Sequence, residues 1–493
     1  MTADHRTGAH DDRILRPGRT CWRLERADQF AEIIDAADYF HHCKAAMLRA
    51  QRRIILIGWD FDTRTRFERG GRTLPGPNEL GAFLGSLLGK RPTLEIFVLK
   101  SNLRLVPAFE GMWGSVTPVA LLNRFSNERM HFAIDGAHPA GSVHHQKLVV
   151  VDDAVAFCGG IDFTLDRWDT PEHLHRSRFR RVFGRSYAPR HEVAAAVDGA
   201  AARALGELAR DRWVSATGQS LVAVDGERTV WPAKLTPTIR NVDVGIARTV
   251  PTLSDRGEVR EVEALNLEAI SKARQTIYLE NQYLASRRLV DALAARLVEP
   301  GGPEIVIVMP RSSESRLEQQ AMDSARHRLL QLLWAADDHR RLGVYWPVTD
   351  GGTAIYVHAK VLVIDDRLLR IGSSNLNNRS MGFDSECDLA VEAAPGSPGR
   401  EDASRMITSM RDRLASEHLG LSVAEFETAV RRHGSFLTAI ESLRGEGRTL
   451  RQFTESTVDG EASPLAENDL MDPDHVPRSL TRSVQRWLEH LSE

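Results

Sequence analysis

The sequence predicts an α/β protein built from two similar α/β/α sandwich halves, related by a pseudo-two-fold axis, with the active site at their interface. Three observations carry this expectation. Short runs rich in Val and Ile, such as LVVV and VLVI, alternate with helical stretches, as in a layered sheet whose central strands are buried on both faces. The chain also repeats itself, SVHHQKLVVVDDAVAFCGGID (142–162) having a counterpart in YVHAKVLVIDDRLLRIGSSN (356–375). The repeat keeps its register, since His145 to His358 and Gly159 to Gly372 both span 213 residues.

The other elements follow the repeat outward. RRIILIGWDF (52–61) matches QTIYLENQYL (275–284), and LEIFVLK (94–100) matches EIVIVMP (304–310). Between those strands lie the helices ELGAFLGSLLGK (79–90) and RLVDALAARLVE (288–299). A closing helix follows each His segment, carrying ARDRW (209–213) or MRDRL (410–414). Each half therefore reads β–α–β, a longer helical connection, a β-hairpin and a closing helix. The divide falls near 225–245, where DGERTVWPAKLTPTIRN is poor in periodic apolar residues and holds two prolines. Halves of 1–235 and 236–420 result, followed by a helical extension over 421–493 with the acidic linker EASPLAENDLMDPDH.

With 493 residues, 42% hydrophobic and 27% charged, the chain is globular and not disordered or fibrous. Lys plus Arg number 64 against 67 Asp plus Glu, a net charge of −3. That balance argues against a dedicated nucleic-acid binder, and no nucleic-acid partner is expected. No segment approaches the roughly 20 uninterrupted apolar residues of a bilayer span. The first twenty residues lack the apolar stretch of a secretory signal. A cytoplasmic location, at most peripheral to a membrane, is the expectation. Cys21, Cys43, Cys158 and Cys387 form no CxxC pair, which argues against a thiolate zinc site or a disulfide framework.

Both copies of the repeat contain His-x-Lys, four residues, then Asp: His145, Lys147 and Asp152, then His358, Lys360 and Asp365. Residues two apart on a strand share a face, so each His and Lys project together into one cleft. The two Asp residues fall where the strand turns, which points them to a structural turn. Gly159-Gly160 and Gly372-Ser373 follow; glycine lets the backbone approach a ligand closely, and Ser373 offers a hydroxyl. Asn375 in the second copy stands in register with Asp162 in the first.

Two imidazoles and two ammonium groups in one cleft suit attack on a phosphodiester. The lysines stabilise charge on the phosphoryl oxygens. Imidazole, with an ordinary pKa of about 6.5, can attack phosphorus or protonate the leaving alkoxide. No metal and no cofactor is needed, and the sequence offers no convincing Asp/Glu cluster for a divalent ion.

HHQKLVVVDDAVAFCGGIDFTLDRWDTPEH and VHAKVLVIDDRLLRIGSSNLNNRSMGFDSE resemble the paired HKD motifs of the phospholipase D superfamily. IYLENQYL resembles the family's segment before the second motif, and the likeness covers roughly residues 30–420. The GGID…RWD pattern is closer to the eukaryotic-type, phosphatidylcholine-hydrolysing phospholipases D than to the small nucleases. The resemblance implies two phospholipase D-like halves, with His145 as nucleophile and His358 as general acid and base. It implies that Lys147, Lys360 and Asn375 hold phosphoryl oxygens, while Asp162, a carboxylate, orients Lys or His. Glu386 matches the family acid that hydrogen-bonds a catalytic imidazole, and Asp169 is the candidate for the same task in the first half. Glu280 is expected to buttress its strand.

The activity so implied is hydrolysis of glycerophospholipids to phosphatidic acid and a head-group alcohol, with transfer to added alcohols, through a phosphohistidine. The alternatives are a cardiolipin synthase-like transferase, a nuclease, and a non-catalytic lipid-binding module. A phospholipid partner implies transient contact with a membrane surface. Phe109, Met112 and Trp113, or Tyr345 and Trp346, can supply it or can be core aromatics. One chain holds both motifs, so a monomer suffices.

Overall fold

The computed structural model describes residues 12–102, 128–224, 230–253, 256–458 and 472–475. Among the described residues the first half contributes seven strands to the main sheet: β1 (Arg23–Ile34), β2 (Arg53–Gly58), β3 (Glu95–Ser101), β4 (Met130–Asp135), β5 (Leu148–Val151), β6 (Val155–Gly159) and β7 (Val193–Asp198). The second contributes β8 (Ile239–Val250), β9 (Thr276–Glu280), β10 (Glu304–Val308), β11 (Leu342–Val348), β12 (Val361–Ile364), β13 (Leu368–Gly372) and β14 (Glu386–Glu392).

All fourteen belong to one sheet. Its order from one edge is β4-β3-β2-β5-β6-β7-β1, then β8-β14-β13-β12-β9-β10-β11. The order reads the same from either end under the exchange of halves, as a pseudo-two-fold axis requires. That axis falls between β1 and β8, twelve-residue antiparallel strands with Arg23 opposite Ile246 and Phe30 opposite Ile239. In each half three strands run parallel (β2-β3-β4 and β9-β10-β11) and the hairpin strand joins them antiparallel.

The tight turns expected after the His strands are present, and the Asp residues explain them. Asp152 and Asp153 hold φ of 53° and 50°, and Asp365 holds 50°, a left-handed conformation that Asp tolerates better than most side chains. The Asp152 carboxylate accepts the backbone N–H groups of Gln51, Arg52 and Arg53 at 2.7–2.9 Å. The Asp365 carboxylate accepts those of Arg274, Gln275 and Thr276 at 2.8–2.9 Å. Each ties its hairpin to the entry of the neighbouring strand. Although both stand in the same motifs as the His–Lys pairs, their carboxylates are taken up by backbone amides, in the turn role to which the sequence points.

Helices cover both faces. On one, a single apolar layer runs across both halves, joining Ile55 and Val150 to Val306 and Val363 beneath helices α3 (Gly199–Thr217) and α7 (Arg400–Leu419). On the other, each half keeps its own core. Leu56 and Val149 pack under α1 (Ala36–Met47) and α2 (Leu80–Lys90). Leu279 and Leu362 pack under α4 (Glu261–Lys272), α5 (Arg287–Val298) and α6 (Ser324–Ala336).

The extension differs from its expected helical character. After α8 (Val423–His433) and α9 (Phe436–Leu443), residues Thr449–Gln452 form a strand, β15, antiparallel to β11. It covers an edge that would otherwise present unpaired amides. Tyr345 and Trp346, at 0% and 9% exposure, lie inside β11 and belong to the core. Phe109, Met112 and Trp113 lie outside the described residues. Among the described residues no helix is long and apolar enough to cross a membrane.

Candidate active site

The two His segments lie beside the sheet's dyad and are held by reciprocal contacts. His145 N–H donates to the Ser385 carbonyl at 2.9 Å, and Ser385 N–H to the Val143 carbonyl at 3.1 Å. In the mirror arrangement His358 N–H donates to the His191 carbonyl and Tyr356 N–H to that of Pro189, both at 2.8 Å. Each segment is thus pinned by the stretch entering the central strand of the opposite half.

This exchange delivers a carboxylate to each imidazole. Glu386, the first residue of β14, lies 3.1 Å through both oxygens from His145 Nδ1. Glu192, just before β7, lies 2.9 Å from His358 Nδ1. With Nδ1 so held, each ring turns Nε2 away from its carboxylate. Glu386 is in turn fixed by the hydroxyls of Ser373 and Ser380. Ser373, expected at the phosphate, instead props this acid, its hydroxyl bound to Glu386 and its amide to Asp388.

The lysines are matched as well. Lys147 Nζ donates to the His145 carbonyl at 3.0 Å, and Lys360 Nζ to the His358 carbonyl at 2.7 Å. Their second partners differ. Lys147 meets the Asp162 carboxylate at 3.2 Å, whereas Lys360 meets the amide oxygen of Gln282 at 3.2 Å. Asp162 also accepts the Trp59 N–H at 2.9 Å, so it fastens Lys147 to the end of β2. Gly160 leaves room at the junction: a Cβ there would stand 3.1 Å from Lys360 Cδ and 3.2 Å from the His358 carbonyl. Asn375 is buried, and its carboxamide oxygen makes no hydrogen bond among the described residues.

The electrostatics join the halves. His145 is depressed well below the usual imidazole range by burial, then by Lys147 and by Lys360 from the other half. Burial, Lys360, Arg167, Arg190 and Lys147 of the first half do the same to His358. Each ring feels both ammonium groups, as one shared cleft requires. Burial also depresses Lys360, and it raises the carboxyls of Glu386 to about 8 and Glu192 to about 7.

Asp169 holds neither motif imidazole. Its carboxylate takes His173 Nδ1 at 3.0 Å, Arg180 Nη1 at 3.1 Å and the Arg190 N–H at 2.9 Å. Glu192 stands where Asp169 was expected, because the first half carries an insertion. From Gly159 to Glu192 is 33 residues, but from Gly372 to Glu386 only 14. The register of 213 fails there, and only the acid before an Ala/Val-rich strand (HEVAAAV) signals the match. Sequence reasoning also missed Arg167 and Arg190, buried near Glu192 and each with one nitrogen that makes no hydrogen bond among the described residues. Glu280 buttresses as expected, accepting from Tyr278 and facing His191 and His418.

The fold and the paired sites define a two-motif protein of the phospholipase D superfamily, to which this chain belongs. Residues 113–289 match the family described as phospholipase D, and residues 267–407 the one described as cardiolipin synthase, PLD-like domain. Within the superfamily it is 23% identical to phospholipase D A of Dictyostelium discoideum, covering 79% of this chain and 35% of that one. Phospholipase D1 of Schizosaccharomyces pombe is 23% identical, covering 83% and 37%. Phospholipase D alpha 1 of Ricinus communis is 24% identical, covering 76% and 63%. The chain therefore spans about a third of the length of the first two relatives. The solved phosphatidylserine synthase of Haemophilus influenzae shares the fold, with a TM-score of 0.54, 12% identity and 99% coverage of both chains.

Proposed function

We propose that this protein is a phospholipase D-type phosphodiesterase that releases phosphatidic acid and a head-group alcohol from glycerophospholipids. The observation that carries the reading is the pair of carboxylate-held imidazoles, each lying in the field of both lysines.

His145 Nε2 attacks phosphorus while the bond from phosphorus to the head-group oxygen breaks, and His358 gives its proton to the departing alkoxide. A water or a primary alcohol then attacks the phosphohistidine. His358 takes the proton, the P–N bond breaks, and His145 is restored. An anionic phosphate between Lys147 and Lys360 offsets the positive field that depresses both rings. Substrate binding thereby restores proton affinity to His358 when an acid is needed. His145 suits the nucleophile because its side chain is 16% exposed against 6% for His358.

Lipid must reach the cleft from a bilayer, and the insertion together with the connection after β2 supplies a surface suited to one. Arg64, Arg66, Arg69, Arg72, Arg178 and Arg181 line an open cleft of about 770 Å³, against Glu68 and Glu79. Beside it the hairpin of Arg181–Val182 and Arg185–Ser186 turns through Phe183 and Gly184, at φ of 48° and 81°. Phe183 is 75% exposed at the tip. An apolar tip among arginines fits an anionic lipid–water boundary.

Purified protein incubated with mixed phospholipids and butanol should yield phosphatidic acid and phosphatidylbutanol. Absence of both across a head-group panel ends this reading. The match of 267–407 to a cardiolipin synthase description favours a second one, phosphatidyl transfer between lipids. Phosphatidylglycerol as the sole substrate separates the two by product.

A further inference from the structure

Behind the second His segment, four segments distant in sequence converge on one point. Asp35 leads into α1, His173 lies in the insertion, His191 precedes β7, and Glu417 ends α7. Asp35, His173 and His191 are wholly buried, and the Glu417 side chain is 8% exposed. His173 Nε2 and His191 Nδ1 stand 3.3 and 3.0 Å from the same oxygen, Glu417 Oε1. Asp35 completes the set, Oδ2 3.5 Å from His173 Nε2 and Oδ1 3.6 Å from His191 Nδ1. Asp35 Oδ2, although buried, has no hydrogen-bond partner among the described residues.

The outward nitrogens decide what this arrangement asks for. His173 Nδ1 faces Asp169 at 3.0 Å, and His191 Nε2 faces Glu280 at 2.8 Å. A carboxylate on that side holds the proton there, so each neutral ring turns a lone pair inward. Two imidazole lone pairs and two carboxylates cannot share a buried point without added positive charge. Arg448 lies in the field of Asp35 and Glu417 and supplies part of that charge; the rest comes from protons taken up by the rings or by Asp35, or from one divalent cation between them. Ligands at 2.0–2.1 Å from tetrahedral zinc lie about 3.3 Å apart; Glu417 Oε1 stands 3.3 and 3.0 Å from the two imidazole nitrogens, and those nitrogens 3.5 and 3.6 Å from one or the other oxygen of Asp35, with one ligand atom from each of the four residues within 4.8 Å of the rest. Carboxylates behind the ligating imidazoles are the support such sites use. Two of the four residues also hold left-handed backbone, Asp35 at φ 66° and His173 at φ 40°, a strain kept where the surroundings demand it.

We propose that Asp35, His173, His191 and Glu417 bind one structural zinc ion, with Asp169 and Glu280 as supports for the histidines. A spacing search of the sequence misses the set because its members stand at 35, 173, 191 and 417. The ion braces the second motif. Asp35 exchanges backbone and side-chain hydrogen bonds with Glu192 at 2.8 and 3.1 Å, and the His191 carbonyl receives the His358 N–H.

Tag-free full-length protein, dialysed without added metal and assayed by inductively coupled plasma mass spectrometry, should carry about one zinc per chain. Asp35→Asn, which keeps a residue tolerant of positive φ, and His173→Gln should each fall below about a fifth of an equivalent. His145→Ala should keep the full complement. Chelator-stripped protein should melt at a lower temperature and recover with zinc, and cobalt(II) in its place should give the intense visible bands of tetrahedral coordination. Wild-type protein without bound transition metal, whose melting temperature zinc leaves unchanged, would overturn the proposal in favour of protons taken up by the rings or by Asp35. Weak octahedral cobalt bands would overturn the ligand set.

Discussion

His145 and His358 occupy matched places on matched strands, each with a lysine two residues on and a carboxylate from the opposite half. Their surroundings are unequal. Lys147 is paired with Asp162, whereas Lys360 meets the neutral Gln282 and His358 has Arg167 and Arg190 as further cationic neighbours. The first imidazole is the more open of the two. Duplication therefore supplies the common geometry, and departures from it make the two surroundings unequal, as the proposed division between nucleophile and acid requires.

The sharpest way to break this comparison is to remove each ring. His145→Ala and His358→Ala should each lower turnover by at least about 10⁴-fold, since neither ring can do both tasks. An activated p-nitrophenyl phosphodiester distinguishes them: His358→Ala should still form acid-labile, alkali-stable phosphoprotein, and His145→Ala should not. Half-activity in either variant contradicts a shared site.

Removing the carboxylates tests the exchange between halves. Glu386→Gln and Glu192→Gln should each reduce kcat by about 10²–10³-fold with little change in KM, since ring orientation and not substrate contact is lost. Asp169→Asn, by contrast, should leave kcat within about threefold of wild type in zinc-replete buffer. A larger loss there than in Glu192→Gln would restore Asp169 as the orienting acid.

The turn carboxylates should separate stability from activity. Asp152→Asn and Asp365→Asn weaken charge-assisted bonds to three backbone amides each, and should cost about 2 kcal/mol in denaturant unfolding. Turnover of the folded fraction should stay near wild type; a hundredfold loss would return these residues to the chemistry. The hairpin belongs to the first half alone. Phe183→Asp should weaken binding to anionic vesicles about tenfold in co-sedimentation and leave a soluble short-chain substrate untouched. Equal loss with both substrates would tie Phe183 to the cleft itself.

The smallest effect is in pH. Both imidazoles are depressed below 6.5 in the folded protein, so the unfolded chain binds more protons between the folded pKa and 6.5. Their contribution to stability is complete above pH 6.5 and is lost as pH falls through that window. The melting temperature of His145→Gln/His358→Gln should therefore decline less than wild type between pH 6.5 and 5. Nitrogen-15 spectra showing either ring as imidazolium at pH 6 in the free enzyme would contradict the depressed values.

Much of this was legible in the sequence, and the misses have physical reasons. The repeat revealed the hairpins, β2, β3, β9, β10 and the helices between them, because buried strands and covering helices need their own apolar periods. It did not reveal β1 and β8. RLERADQFAEII mixes charged with apolar residues, and its partner lies some two hundred positions away, starting at the end of the segment assigned to the divide. Glu192 was hidden by the insertion that breaks the register. The Asp35–His173–His191–Glu417 cluster was hidden because no local spacing foreshadows four segments meeting in the core.

The β1–β8 ladder has one more consequence. A backbone seam that runs unbroken from one half into the other leaves no clamshell motion by which the molecule could open. On the proposed function, substrate entry and product escape would then be gated by side chains and surface segments. In hydrogen exchange, the amides of that seam should be among the last to open, and turnover should proceed while they stay closed.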